Sequence, residues 1–204
     1  MEELKSFDTV AAYNRFYNNE TKHPLVSIVD YAQWGELMPF AMRFGFYAIM
    51  IKEVNCGELK YGRSIYDYDE DTLAFVSPGQ VVRFTQSSEP FLPKGSALVF
   101  HTDLLRGSFL AHGIHKYSFF DYSVNEALHV TKDEKRIIDD CFQKIATELN
   151  KPVDKHTKNV VVSNIELLLS YCERFYDRQF ITREIPNSGI LENFERLLRE
   201  YYQA

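Results

Sequence analysis

The chain has 204 residues, of which 45% are hydrophobic and 25% charged, and this composition is that of a soluble globular protein. Its length allows one domain, or one domain with a helical extension. A formal net charge of -6 excludes a broadly basic surface, so we do not expect these residues alone to bind nucleic acid. From the polar start we expect no signal peptide, and from the short apolar runs no membrane span.

The first part of the chain is predicted to consist of short strands. Residues 1–22 carry apolar side chains at a broken helical spacing, which is typical of a short helix or an arm. Apolar runs of strand length follow, separated by turn-forming Gly, Pro and Asp. The predicted strands are Leu25–Val29, Phe44–Glu53, Glu58–Tyr68, Leu73–Val76, Val81–Thr85, Ser96–His101 and Tyr117–Tyr122. This pattern favours a mostly β fold, a barrel or a sandwich, over a parallel α/β sheet.

One of these segments, Phe44–Glu53, is apolar at both alternating positions. The side chains of a strand point alternately to opposite faces, so the pattern predicts a central strand that is packed on both sides. From Thr102 to Ala111 the alternation is lost, and we expect a short helix or a loop there.

The second part of the chain is predicted to be helical. Thr131 and Glu134 have the spacing of a capping box, and an apolar helical stripe follows. A second helix is predicted from about Lys158 to Tyr176, and a last one after Gly189. The stripe of the second helix comprises Val161, Ile165, Leu168, Cys172 and Phe175, widened by further apolar residues. A stripe this wide needs burial on more than one side, so we expect it to pack on the strands and also to mediate homodimerisation.

Signals for catalysis and metal binding are weak. His112 and His115 form the only close histidine pair, whereas a metal site needs three or four convergent ligands. No Gly-x-Ser-x-Gly, Walker or Gly-x-Gly-x-x-Gly motif occurs. Cys56, Cys141 and Cys172 are widely separated and form no Cys-x-x-Cys pair. We therefore expect no enzyme activity, no metal and no cofactor, and we expect reduced thiols in a cytoplasmic protein.

Aromatic residues recur on successive predicted strands. In a small barrel they either fill the core or line a cavity, and a filled core is the more common outcome. For a hollow barrel the candidate ligand contacts are Arg43, Tyr47, Tyr61, Tyr66 and His101. Arginine suits an anionic or sugar-like ligand, and His101 lies at the end of an apolar strand, where a barrel has its rim.

Seven segments across nearly the whole chain carry a family resemblance. They are Phe44–Ile49, Cys56–Arg63, Tyr66–Tyr68, Phe75–Gln80, Pro93–His101, Ser163–Leu169 and Arg174–Phe180. These segments resemble the N-terminal domain of AraC-type transcriptional regulators. The resemblance implies a cupin-like β-barrel with an N-terminal arm over residues 1–125, which senses a small molecule, and a helical dimerisation segment over residues 126–204. It also implies a helix-turn-helix DNA-binding domain after Ala204, which we expect to be absent from this chain.

The chain departs from the metal-binding cupins at their later motif. Pro93 and Gly95 match that motif, but Leu98 stands where it has histidine, and no His-x-His pair occurs. The resemblance therefore predicts an effector-sensing and dimerisation domain of a transcription regulator. Its expected partners are a small-molecule effector such as a sugar or small acid, a second copy of the chain, and DNA through the absent domain. Two alternatives stay open: a metal-independent or degenerate cupin enzyme, and an interaction module without a ligand.

Overall fold

A computed structural model of the chain describes residues 4–33, 40–53, 58–61, 64–66, 71–85, 94–121 and 127–181. The strands are β1 (Leu4–Phe7), β2 (Val26–Asp30), β3 (Phe40–Phe44), β4 (Tyr47–Lys52), β5 (Glu58–Tyr61), β6 (Ser64–Tyr66), β7 (Thr72–Val76), β8 (Val81–Thr85), β9 (Gly95–Phe100) and β10 (Leu128–His129). The helices are α1 (Val10–Phe16), α2 (Thr102–Leu105), α3 (Phe109–Gly113), α4 (Lys132–Leu149) and α5 (Thr157–Ile181).

The strands form two five-stranded sheets. The outer sheet has the order β1-β3-β8-β5-β6, and the central sheet has the order β10-β7-β4-β9-β2. Most neighbours are antiparallel, and the exception is β1, which runs parallel to β3. Among the described strands no pairing joins one sheet to the other, so both sheets are open. The closed cupin-like barrel that we expected is therefore not observed, and the chain has a mixed α/β fold.

Two apolar cores cover opposite faces of the central sheet. On one face, Ala48, Met50 and their neighbours pack with Met42 and Phe44 of the outer sheet. We call this the inter-sheet face. On the other face, Ile49, Ile51 and their neighbours pack with α4 and α5, and we call this the helix face. The alternation along β4 explains the division, because successive side chains leave a strand on opposite sides.

Burial along β4 confirms the central strand expected from the sequence. All residues from Tyr47 to Lys52 are buried. The observed strand is nevertheless shorter than the predicted strand Phe44–Glu53. Phe44 is the last residue of β3, and a bend at Gly45 separates β3 from β4. The Gly45 N–H donates to the Phe7 carbonyl at 2.7 Å, and a Cβ at Gly45 would lie 2.8 Å from the Asp8 Cα. Only glycine therefore lets the N-terminal segment pass this close to the bend.

The helices begin where the sequence indicates. The Thr131 hydroxyl accepts from the Glu134 N–H, and the Glu134 carboxylate accepts from the Thr131 N–H, so the capping box is confirmed. Arg178 near the end of α5 forms an ion pair with Glu134 at 2.8 Å, which fixes the antiparallel pairing of α4 and α5. Among the described residues, no helix combines the length and the apolarity needed to cross a bilayer.

One predicted strand is wrong in the part that the structure describes. In place of a strand at Tyr117–Tyr122, Ser118–Phe120 form a single 3-10 turn. Phe119 and Phe120 are adjacent and both buried, and both rings contact Phe75. A strand would send these two side chains to opposite faces, whereas the turn lets both enter the same core. The predicted division of the chain after residue 125 falls among undescribed residues 122–126 and stays a prediction.

Candidate functional site

The inter-sheet face of the central sheet is lined mainly by small side chains. Its apolar residues on β4, β7 and β9 are Ala48, Met50, Ala74, Val76, Ala97 and Val99. The helix face of the same three strands is lined by large ones, namely Tyr47, Ile49, Ile51, Leu73, Phe75, Leu98 and Phe100. The same three strands supply both sets of side chains. The two faces of the sheet therefore differ in side-chain size although they share one backbone.

A row of buried polar residues crosses one end of the inter-sheet face. Lys52 follows Ala48 and Met50 at alternate positions of β4, and only 1% of its surface is exposed. The strand register places Thr72, which is fully buried, opposite Lys52 on β7, and Gly95 opposite it on β9. Asp30, the last residue of β2, pairs with Ser96, and the buried Tyr31 follows it as the first residue of a 3-10 turn. We call Tyr31, Lys52 and Thr72 the polar row.

Gly95 permits the close strand approach within this row. Its φ is +133°, and a Cβ there would lie 2.1 Å from the Ile51 carbonyl oxygen. Any other residue would push β9 away from β4 beside Lys52. Gly95 therefore keeps the backbone of the polar row compact and adds no side chain of its own.

The charge on Lys52 imposes a chemical requirement on the inter-sheet space. A buried ammonium is stable only where acceptors satisfy its N–H groups and an anion or dipoles balance its charge. Lys52 and Thr72 both make further interactions within the fold. The polar row is thus a part of the interior whose polar groups have partners within the fold.

Tyr31 of the polar row belongs to a cluster of three buried tyrosines, and the other two lie on or beside α1. The hydroxyls of Tyr13 and Tyr31 are 2.7 Å apart and share a hydrogen bond, and the Tyr17 ring contacts both neighbouring rings. Thr9 caps α1 by accepting from the Ala12 N–H, and the helix then places Tyr13 on the sandwich. Burial raises the pKa of all three hydroxyls, so they stay neutral and act as hydrogen-bonding groups.

The structure does not gather the five candidate ligand residues at one site. Arg43 is half-buried on β3 and donates to the Asp8 carboxylate at 2.7 Å. Tyr47 lies on the helix face, stacks on Phe100 and has its pKa raised by burial. His101 follows β9 and caps α2, its Nδ1 accepting from the Asp103 N–H at 3.2 Å.

The remaining two candidates are placed only through their backbone. Tyr61 pairs with Val82 and Tyr66 with Leu59 in the outer sheet, and their side chains lie outside the described residues. Ligand binding by these five residues stays a prediction. His112 and His115 are both exposed, and among the described residues no group of three His, Cys, Asp or Glu side chains could hold a metal ion.

The predicted dimerisation stripe is buried within the chain. Each of its five members is at most 6% exposed and belongs to the core against the helix face. Burial also raises the pKa of the Cys141 and Cys172 thiols in this core. The stripe therefore packs on the strands, as expected, and its role in homodimerisation stays a prediction. The exposed side of α5 carries other apolar residues, Val160 and Leu167, which are 39% and 43% exposed.

Sequence reasoning missed the polar row and the tyrosine cluster. A signal for Lys52 was present, because a lysine occupies an inward position at the end of a strand that is otherwise apolar on both faces. Tyr31 and Thr72 gave no such signal, since hydroxyl residues are common at strand ends. Only the register of β4 and β7 aligns Thr72 with Lys52, and only the pairing of β2 with β9 brings Tyr31 to the same sheet.

Comparison with known proteins gives distant structural similarity alone. No protein-family model matches the chain, and no curated protein matches it. The crystal structure of the AraC-like transcriptional activator CuxR aligns with a TM-score of 0.43 and 12% sequence identity. The alignment covers 71% of this chain and 45% of that one, so the chain spans less than half the length of CuxR. A similarity at this level does not establish a common family.

Proposed function

We propose that the chain is the effector-sensing domain of an AraC-type transcription regulator. Support comes from the seven segments that resemble the sensor domains of that family. The polar row adds a second reason, because small-molecule sites are mostly apolar spaces with a few convergent polar groups. We further propose that the domain binds its effector without chemical turnover, since the sequence has no nucleophile motif.

The observation that carries this proposal is the burial of β4 on both sides. Met50 and Lys52 belong to the inter-sheet face, while Ile49 and Ile51 contact the core that includes α4 and α5. An effector between the sheets therefore acts on strands that also support the helices. If its affinity differs between two arrangements of these helices, binding shifts their populations.

The output of this shift is proposed to be homodimer geometry. The predicted stripe is buried in the fold, so the exposed side of α5, with Val160 and Leu167, is the available surface for a second copy. A helix-turn-helix domain outside these 204 residues would then contact DNA. In this scheme the effector changes the spacing of two DNA-binding domains and does not itself touch DNA.

A thermal-shift screen of sugars and small acids against the purified 204-residue chain tests the proposal. A compound that binds the folded state alone must raise the melting temperature. Sedimentation with and without a stabilising compound then asks whether the dimer population changes. Stabilisation together with a change in sedimentation supports the proposal.

Two other outcomes favour the alternatives. If no compound stabilises the chain but it still forms dimers, an interaction module without a ligand is the better description. If a stabilising compound is consumed over time, the chain is an enzyme of the degenerate cupin kind. The exposed Phe109, 92% accessible at the start of α3, is the feature that an interaction module would explain.

A further inference from the structure

We propose that Gln179 is a latch between α5 and the central sheet. Its side-chain amide holds the last turn of α5 on the edge strand β10, and this contact opens and closes while the rest of α5 stays packed. The inference goes beyond the proposed function, because it concerns the mechanics of the fold and holds with or without an effector. An open latch frees the end of α5 to change direction relative to the sheet.

The first step is the pair of hydrogen bonds that Gln179 makes. Its Nε2 donates to the Ala127 carbonyl at 3.0 Å, and its Oε1 accepts from the His129 N–H at 2.8 Å. These two groups belong to residues two positions apart, and a residue of a parallel neighbouring strand would bond groups at the same spacing. A carboxamide suits this role, because it carries a donor and an acceptor as a peptide group does. Gln179 therefore takes the place of a further strand beside β10, at the edge of the central sheet.

The second step is the direction of the backbone groups on β10. The Val130 N–H donates to the Asp71 carbonyl, on the side of the strand where β7 lies. Successive N–H groups of a strand point to opposite sides in the plane of the sheet, so the His129 N–H points away from β7. Gln179 is 7% exposed and meets this N–H at the outer edge. The His129 amide thus reports directly whether the contact is closed.

The third step is a change in the kind of attachment along α5. As far as Tyr176, the helix is held by apolar side chains that pack into the core of the helix face. Arg178 and Gln179 are attached through hydrogen bonds, the Arg178 guanidinium donating to the His129 carbonyl at 2.8 Å. Water can replace a hydrogen bond, so each such bond shifts the equilibrium between closed and open forms by only about 2- to 10-fold. The last turn therefore opens at a lower cost than the apolar part of the helix, as a latch requires.

Hydrogen exchange followed by NMR on the wild-type chain tests the latch. We expect the His129 amide and the amides of the last turn of α5 to be equally protected, and to exchange at least about 10-fold faster than the Ile165 and Leu168 amides. Low concentrations of urea should speed exchange at Ile165 and Leu168 and hardly change it at His129, because a local opening exposes little surface. This comparison needs no variant to fold.

The wild-type result has two outcomes that overturn the inference. If the His129 amide is as protected as the Ile165 amide and responds to urea in the same way, the contact opens only when the whole chain unfolds. If the last turn of α5 exchanges fast while the His129 amide stays protected, the helix end frays without releasing the sheet.

Two variants assign the effect to the side-chain amide. Gln179→Met keeps the length of the side chain without its donor and acceptor. Loss of the two hydrogen bonds should speed exchange at the His129 amide and in the last turn of α5 by roughly 5- to 100-fold. Gln143→Met is the matched control, because Gln143 is exposed on α4, and it should exchange as the wild type does. If Gln179→Met does not fold, Arg178→Met serves in its place, with a smaller increase of about 2- to 5-fold.

The variants can also overturn the latch. Unchanged exchange at the His129 amide in Gln179→Met would show that the side chain does not protect the strand edge. Faster exchange at His129 without faster exchange in the last turn of α5 would show that Gln179 covers the edge but does not hold the helix. Neither result bears on effector sensing, which the thermal-shift screen decides.

Discussion

The two faces of the central sheet are built from the same strands but differ in what they hold. The helix face packs large apolar side chains against α4 and α5. The inter-sheet face carries alanines and valines together with a buried lysine, a buried threonine and a tyrosine cluster. A layer that only had to bury surface would be apolar throughout, because each buried polar group needs a partner to offset its desolvation. Both faces belong to buried apolar cores, and the comparison teaches that the buried polar residues are confined to the inter-sheet one.

The largest expected effect is on the helix face. Leu168→Asp places a carboxylate where the native side chain is fully buried, and the cost of an unpaired buried charge should leave the chain unfolded or aggregated. Circular dichroism measures the loss of folded structure, and gel filtration detects the aggregates. The neighbouring Leu167→Asp is the matched control for folding: Leu167 is 43% exposed, so the variant should keep its circular dichroism spectrum and its stability within about 0.5 kcal/mol even if the proposed dimer is lost. Equal damage from both variants would contradict the assignment of the stripe to the core.

The next effect compares two adjacent residues of β9 that face opposite ways. Leu98→Ala removes a fully buried side chain from the helix face and should lower the free energy of unfolding by about 2–5 kcal/mol. Ala97→Leu adds volume to the inter-sheet face and should cost about 1–3 kcal/mol if that face is tightly filled. Denaturant titration gives both values. A clearly smaller cost for Ala97→Leu would indicate free space between the sheets.

A smaller effect is expected in the tyrosine cluster. Tyr31→Phe removes the hydroxyl that bonds to Tyr13 at 2.7 Å and should lower the free energy of unfolding by about 0.5–1.5 kcal/mol. Tyr47→Phe on the helix face is a suitable comparison, since its ring contacts with Phe100 and Phe120 do not need the hydroxyl. If Tyr31→Phe cost no more free energy of unfolding than Tyr47→Phe, the hydrogen bond between the Tyr13 and Tyr31 hydroxyls would not contribute to stability.

The smallest effect is a pH dependence at the edge of the helix face. Partial burial lowers the pKa of His23 from its ordinary 6.5, and its Nδ1 accepts from the Leu25 N–H at 3.1 Å. The unfolded chain therefore takes up this proton at a higher pH than the folded chain does. Stability from neutral His23 is complete above pH 6.5 and is lost as the pH falls towards the lowered pKa. His23→Asn should show a slightly flatter decline from pH 7 to 5 in thermal melts, and an unchanged profile would contradict this.

How far the sequence could predict the fold depended on how local each signal was. The capping box at Thr131 and the stripes of α4 and α5 need only neighbours within a few residues, and both predictions hold. The burial of β4 on both sides was also readable, because its apolar pattern is continuous. The turn at Ser118–Phe120 was not, because its two aromatic residues are buried by Phe75, more than forty positions away in the sequence.

The candidate site was harder still to predict from the sequence, because it depends on contacts between distant residues. The sequence alone determined that the chain has a double-faced apolar strand, a capped helical half and no catalytic motif. Only the tertiary structure decided that the two sheets stay open, that His101 caps a helix and that Arg43 is paired at the surface. It also decided that Lys52 and Thr72 lie opposite each other and that both are buried. The physical reason is that strand register joins residues far apart in the chain, and a shift of one residue would send Lys52 to the helix face.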